Sequence, residues 1–188
     1  MGPSKLEAVL VRLCQGQSIS MTHAVKLPYV VDVVARHALG RPLVDATYEA
    51  WDYGVAAKEA WVMLHYAPPS SLVVEIHPHC ESGFSVRSSA ASAGLTPEEA
   101  EIVDFVAENY RGLSASSLGR LTKDMNPQIP GEEWGTNQRA STDGDAYLRL
   151  SEASKTTKLD LSVHDFDDKS KWGEPIGDPA EYVRRALG

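Results

Sequence analysis

Residues 40–54 have the sequence GRPLVDATYEAWDYG and separate two helical regions of the chain. Across this stretch the hydrophobic period changes, since Tyr48, Ala50 and Asp52 alternate with the residues between them. Alternation combined with a high density of aromatic side chains favours a strand over a helix. The sequence therefore predicts a short strand over residues 47–53.

Two helices are predicted on the N-terminal side of this strand. The first spans residues 4–15 and begins with SKLE, the pattern of a capping box. The second runs over residues 20–39 and stops at Gly40. Pro28 lies inside this second helix. Because proline removes a backbone donor and clashes with the preceding turn, the helix is expected either to kink at Pro28 or to begin there.

The remainder of the chain alternates short helices with one β-hairpin. Helices are predicted at residues 55–66, 97–110 and 114–123, and the hairpin strands at residues 72–77 and 84–88. The longest of these helices is the most clearly marked, since Thr96, Pro97 and Glu99 form its N-terminal capping signal. A further strand over residues 159–163 and a terminal helix over residues 179–187 complete the prediction.

These elements predict an α+β fold, a mainly α-helical single domain with a small antiparallel β-sheet. The sheet is expected to contain the strands at residues 47–53, 72–77 and 84–88. Residues 1–135 are expected to form the domain. Residues 136–188 are expected to form a C-terminal extension that ends in a short helix.

Composition and charge argue against several classes of function. Of 188 residues, 18 are Lys or Arg and 26 are Asp or Glu, so the formal charge is -8. Nucleic-acid binding is therefore not expected, because it requires a basic surface. No apolar stretch approaches the roughly 20 residues that a membrane-spanning helix needs. With no signal-peptide pattern and only Cys14 and Cys80 as cysteines, a reduced cytoplasmic protein is the simplest expectation.

Candidate chemical sites are weak. His77, His79, Cys80 and Glu81 offer the ligand types that zinc prefers, but no second ligand pair follows at a recognised spacing, so a polar hairpin tip is favoured. The acidic run at residues 165–168 lacks the glycine and the distal glutamate of a calcium loop. Nucleophile elbows and phosphate-binding glycine loops are also missing from the sequence. We therefore predict no catalytic residues, no metal and no cofactor.

The helices around YRGLSASSLGRLTKD also suggest a helix-turn-helix, with residues 114–123 as the recognition helix. This would make the protein a DNA-binding transcriptional regulator. The preceding helix carries five acidic residues, Glu98, Glu99, Glu101, Asp104 and Glu108. Because such a helix repels phosphates, a packed helical hairpin is the favoured interpretation, and the regulator remains an alternative.

The richest part of the sequence is similar to a known family. The order KLPYVVDVVARHALGRPLVDATYEAWDYG, a tryptophan-bearing helix, and LTPEEAEIVDFVAENYRGLSASSLGRLTKD resembles the Panacea domain of SocA-like antitoxins from bacterial and phage toxin-antitoxin systems. The resemblance covers about residues 20–135. Its most specific residues are Gly40, Arg41, Pro42, Tyr48, Trp51, Tyr53 and Gly54.

The resemblance implies an antitoxin that neutralises a cognate protein toxin encoded nearby, usually by direct binding. Some family members instead act as adaptors that deliver the toxin to a protease. Arg41, Tyr48, Trp51 and Tyr53 form the predicted contact set, because aromatic residues and arginine are common at binding hot spots. The same aromatic residues suit a protein core equally well, so both roles remain open. Homo-oligomerisation is also left open.

Overall fold

A long central helix organises the fold, and shorter helices and two small sheets surround it. The computed structural model describes residues 2–77, 83–126, 138–143 and 145–160. The elements of this part of the chain are α1 (Lys5–Leu13), β1 (Ile19–Ser20), α2 (Met21–Leu39), β2 (Tyr48–Trp51), β3 (Gly54–Ala57), α3 (Lys58–Tyr66), β4 (Val73–Ile76), β5 (Phe84–Arg87), α4 (Pro97–Tyr110), α5 (Ala115–Asp124), β6 (Gln138–Arg139) and α6 (Ala146–Asp160). The predicted α+β, mainly helical fold is confirmed.

Helix α2 forms the centre of the core. It packs against α1, α3, α4, α5 and α6 and against β3. Most of its residues are buried, which explains why its sequence is apolar almost all the way round. The helix runs from Met21 through Pro28 to Leu39, so the alternative that it begins at Pro28 is wrong. It ends at Gly40, which has the left-handed conformation with φ 71°.

The first turn of α2 is held by a buried histidine. The Ser20 hydroxyl caps the helix by accepting from the His23 backbone N–H, and it lies 2.6 Å from Nδ1 of the same ring. His23 Nε2 lies 2.7 Å from the Leu113 carbonyl, which can only accept, so Nε2 carries the proton. Burial lowers the pKa of His23. The neutral ring thus links the start of α2 to the turn between α4 and α5.

The strands form two antiparallel sheets, whereas the sequence predicted one. One sheet has the order β1-β5-β4 and contains the predicted hairpin, and the other has the order β3-β2-β6. The second sheet exists because residues 55–57 continue as a strand, so the prediction that they begin a helix is wrong. These residues pair with β2 and are completely buried, which outweighs the helix propensity of their two alanines.

Gly54 makes the turn between β2 and β3 possible. Its φ of 102° lies in the region that side chains disfavour, and a Cβ there would collide with the Gly119 carbonyl and the Thr122 hydroxyl of α5. The Thr122 hydroxyl accepts a hydrogen bond of 3.1 Å from the Val55 N–H. Helix α5 therefore packs directly on the backbone of this hairpin.

The last described elements pack on the same body. β6 pairs with β2, and α6 packs against α5 and α2. Leu159 and Asp160 belong to α6, so the predicted strand over residues 159–163 is wrong at its start; the rest of it, and the predicted helix over residues 179–187, lie outside the described residues. The domain boundary at residue 135 stays a prediction. Among the described helices, none is both long and apolar enough to cross a membrane.

A buried carboxylate shapes the loop between α2 and β2. Asp32 is fully buried, and its two oxygens accept the backbone N–H groups of three successive residues, Leu43, Val44 and Asp45, at 2.7–2.8 Å. Oδ2 also accepts a 2.5 Å hydrogen bond from the Tyr48 hydroxyl. Asp45, which donates its N–H to this carboxylate, adopts the left-handed φ of 57°. One side chain of α2 therefore fixes both the loop and the start of β2.

We expect Asp32→Ala to lower the free energy of unfolding by about 3 kcal/mol or more, because it leaves three N–H groups and a hydroxyl without their acceptor. Urea denaturation at pH 7 measures this loss. Asp52→Ala is the matched control, since Asp52 is an exposed aspartate in the turn after β2 and should change stability by less than about 0.5 kcal/mol. Equal unfolding midpoints for Asp32→Ala and wild type would contradict this account.

Candidate partner-binding surface

The structure divides the four predicted contact residues into two pairs. Tyr53 is 43% exposed, and the Arg41 side chain is 56% exposed. Tyr48 and Trp51 are only 5% and 8% exposed. Partner contact by these four stays a prediction. For the second pair it would require movement of the surrounding core.

Tyr48 is a structural residue of the loop. Its hydroxyl donates to Asp32 and lies 3.1 Å from the Pro28 carbonyl, and its ring packs edge-on against Tyr29. Burial raises the pKa of Tyr48 well above its usual value, and the neighbouring carboxylate acts in the same direction. The hydroxyl therefore keeps its proton and serves as a permanent donor.

Trp51 joins β2 to α3. Its Nε1 donates to Glu49 at 3.0 Å, and the other oxygen of Glu49 accepts from Lys58 Nζ at 3.1 Å. The Trp51 ring contacts Trp61 edge-on with 6.1 Å between centroids. Glu49 is itself buried, so the ion pair with Lys58 neutralises a charge that would otherwise be costly.

Arg41 takes part in a buried ion-pair network. Glu99 of α4 is 1% exposed and accepts from Lys5 of α1 at 2.5 Å and from Arg41 at 3.0 Å. The Glu99 side chain also accepts the Thr96 N–H, completing the predicted capping box. Burial by itself raises the pKa of Glu99, but hydrogen bonds from the two cations and from Thr96 outweigh it and lower the pKa to about 2. The network ties together α1, α4 and the loop that follows α2.

The outer side of α4 is the most distinctive exposed surface in the described part of the chain. Its exposed residues include three glutamates, Glu98, Glu101 and Glu108, and one aromatic residue, Phe105, which is 42% exposed. The Phe105 ring contacts Tyr110, and the Tyr110 hydroxyl lies 2.9 Å from the Ser154 hydroxyl of α6.

A groove of about 250 Å³ lies between α4 and α6, beside this face. Its wall on α4 consists of Phe105, Asn109 and Tyr110, and its wall on α6 consists of Tyr147, Leu150, Ser151, Ser154 and Lys155. Ligand sites for small molecules are usually larger, at roughly 300–1,000 Å³. This groove therefore suits a side chain of a protein partner better than a cofactor.

Helix α5, the predicted recognition helix of the DNA-binding alternative, has a largely internal role. Leu118, Leu121 and Thr122 are completely buried, and the helix packs against α2, β3 and α6. Beneath it Lys26 of α2 is buried, and its Nζ donates to the Val55 carbonyl at 3.2 Å. Burial lowers the pKa of Lys26 to about 7, and the charge of Lys123 adds to the shift.

The groups that suggested metal or thiol chemistry are only partly within the described residues. His77 lies 2.7 Å from the Ser85 hydroxyl, whereas His79, Cys80 and Glu81 and the acidic run at residues 165–168 lie outside. In the part of the chain that the structure describes, no three His, Cys, Asp or Glu side chains are placed to hold a metal ion. Burial raises the pKa of the Cys14 thiol to about 12, so this thiol is a poor nucleophile.

Sequence analysis missed the roles of Asp32, Lys26 and Phe105. A signal was present for the first two, because a charged residue within an apolar helix must be paired when the whole helix is buried. Phe105 carries no comparable signal, since one aromatic residue among glutamates does not show whether a second helix lies beside it.

Comparison with known proteins gives one finding. The protein-family model described as "Antitoxin SocA-like, Panacea domain" matches residues 25–127, which is more than half of the chain. These residues extend from α2 through α5 and include the loop, the β2–β3 hairpin and the outer face of α4. Neither a search of curated proteins nor a search of solved structures found a significant match.

We expect Trp51→Ala to lower the free energy of unfolding by about 3–5 kcal/mol, because it removes a large buried ring and leaves Glu49 with one donor fewer. Tyr53→Ala, at an exposed aromatic position two residues further on, is expected to cost less than about 1 kcal/mol. Urea denaturation of both variants measures the difference. A Trp51→Ala protein as stable as wild type would instead favour a partner-contact role for Trp51.

The Glu99 network gives stability a defined pH dependence. Because folding lowers the pKa of Glu99 from 4.5 to about 2, its stabilising effect is complete above pH 4.5 and is lost as the pH falls towards 2. Glu99→Gln keeps the capping geometry but removes the charge, so we expect a loss of about 2 kcal/mol at pH 7.

The difference between Glu99→Gln and wild type should shrink steadily between pH 4.5 and pH 2.5, as measured by urea denaturation. Glu101→Gln, an exposed position on the same helix, serves as the control and should stay within about 0.5 kcal/mol of wild type. A Glu99→Gln deficit that does not depend on pH would show that the network acts through packing and not through charge.

Proposed function

Because the chain belongs to the SocA-like Panacea domain family of antitoxins, we propose that it neutralises a cognate protein toxin, encoded nearby, by binding it directly. The observation that carries this proposal is the family match over residues 25–127. That region supplies the central helix and the elements packed around it, so the likeness extends to the body of the fold.

The use of charge inside the protein supports a binding role. Asp32, Glu49 and Glu99 are buried, and each is occupied by hydrogen bonds or ion pairs that join one element to another. Carboxylates engaged in this way hold the scaffold rigid and are not positioned to act as general acids or bases. A rigid scaffold lowers the entropy lost when a partner binds.

The overall charge agrees with the same role. A formal charge of -8 favours association with a basic protein and disfavours contact with nucleic acid. Many proteins that act on RNA or nucleotides are basic where they bind phosphates, so a toxin of that class would complement an acidic antitoxin.

Co-expression with the neighbouring reading frame tests the proposal. We expect the neighbour's product to stop growth when expressed alone, growth to be restored by the antitoxin, and the two proteins to co-purify as a stable complex. Asp32→Ala serves as the control, since a less stable scaffold should weaken the rescue.

Two other outcomes would contradict direct neutralisation. Rescue without a stable complex would favour an adaptor that delivers the toxin to a protease. In that case the antitoxin should no longer restore growth in a protease-deficient host. If the neighbour's product is harmless when expressed alone, it is not a toxin, and the DNA-binding regulator is favoured. Binding of the protein to its own promoter at low and moderate salt would test that alternative.

A further inference from the structure

We propose that the toxin docks on the outer face of α4 and in the groove between α4 and α6, and that it presents there a basic segment with one apolar anchor side chain. This inference rests on the proposed antitoxin function and adds the surface and the chemistry of the partner. Three observations carry it, namely the arrangement of the exposed residues, their unbalanced charge, and the groove beside them.

The exposed residues of α4 form a single stripe. Glu98, Glu101, Phe105 and Glu108 are spaced by three, four and three residues, which places them on one side of an α-helix. Phe105 lies between the glutamates with 42% of its surface exposed. An aromatic side chain surrounded by polar residues is the arrangement found at the centre of many protein interfaces.

The charges on this stripe have no ion-pair partner among the residues that the structure describes. The other two carboxylates of α4 face inward and are paired, Glu99 with Lys5 and Arg41, and Asp104 with Arg12. In contrast, none of the three stripe glutamates has an ion pair with any residue that the structure describes.

Arg111, three residues after Glu108, does not balance the stripe. Its guanidinium donates to the carbonyls of Leu13 and Gln15, each at 3.0 Å, and so serves the end of α1. Like charges one turn apart destabilise a helix by about 0.2–0.5 kcal/mol per pair. A basic partner would remove this repulsion on binding, which is the charge complementarity that the proposal requires.

The groove supplies the place for an anchor. Phe105, Tyr110 and Leu150 contribute to its lining, and the hydroxyls of Tyr110 and Ser154, which also line it, lie 2.9 Å apart. These two hydroxyls are thus already paired, and an apolar side chain can enter beside them without breaking their hydrogen bond. Its volume of about 250 Å³ limits the occupant to a small part of a partner.

The exposed apolar residues of β4 lack this combination. Ile76 and Val73 lie on β4, where the neighbouring Glu75 is paired with Arg87 at 2.6 Å. The carboxylate described on that strand is therefore already paired with a cation. The α4 stripe combines an exposed ring, an adjoining groove and glutamates without an ion pair to any described residue.

Binding kinetics of three variants test the inference, with the purified product of the neighbouring reading frame as the probe. Phe105→Ala removes the exposed ring, and the pair Glu101→Lys with Glu108→Lys reverses the charge. Tyr66→Ala is the matched control, because Tyr66 is 53% exposed at the end of α3 and contacts one ring edge-on, as Phe105 does. Thermal unfolding of each variant verifies that it is folded.

We expect Phe105→Ala and the charge-reversal pair each to weaken binding at least about tenfold, while Tyr66→Ala stays within about twofold of wild type. The association rate of wild type should fall as salt rises from about 50 to 500 mM, and the charge-reversal pair should lose most of that dependence. Since the two α4 variants alter different properties, a folding defect in one leaves the other as a test.

The results separate failure of this inference from failure of the antitoxin proposal. If the wild-type chain binds the toxin and neither Phe105→Ala nor the charge reversal weakens that binding, the toxin docks elsewhere. The inference is then wrong, but the antitoxin proposal stands. If the wild-type chain neither binds nor neutralises the neighbour's product, both proposals fail. If Phe105→Ala instead dissociates a wild-type dimer in sedimentation and leaves toxin binding intact, a second copy of the chain occupies the groove and the inference is wrong.

Discussion

The carboxylate of Asp32 is the interaction on which the arrangement of the fold depends. It lies on the central helix with no exposed surface and accepts the N–H groups of three consecutive loop residues together with the Tyr48 hydroxyl. An ionised group removed from water is tolerable only when such donors surround it. Because the donors come from one loop, that loop has a single conformation, which sets where β2 begins and therefore where the hairpin meets α5.

A second buried carboxylate, that of Glu99, holds the other end of the loop in place. Glu99 draws Arg41 and Lys5 to the first turn of α4, so that the loop, α1 and α4 meet at one point. The residues that make residues 40–54 recognisable in the sequence are therefore mostly structural: Arg41 pairs with α4, Tyr48 with α2, and Gly54 admits α5. Their contacts specify how the central helix is surrounded.

Local signals allowed much of this fold to be predicted. The capping box of α4, the stop glycine of α2 and the hairpin at β4 and β5 depend on neighbours in sequence, and the structure has them where predicted. β3 was predicted as the start of a helix because its strand conformation depends on contacts with α5, about 65 residues away in sequence. The candidate surface was beyond prediction for a similar reason, since the glutamates of α4 are visible in sequence but the groove exists only where α6 packs beside them.

The two walls of the groove therefore differ in whether they belong to the segment that matches the family. The wall on α4 belongs to the segment that matches the family, whereas the wall on α6 lies beyond it. The first is held by the Glu99 network and a complete capping box, so α4 can carry exposed glutamates that pair with no described cation without fraying. The second belongs to α6, which packs on α5 and α2 through the buried residues Ala146, Leu150 and Ala153. If a toxin docks there as proposed, the glutamates of α4 would attract its basic segment through charge complementarity, while the side chains of α6 would determine which anchor fits beside Phe105.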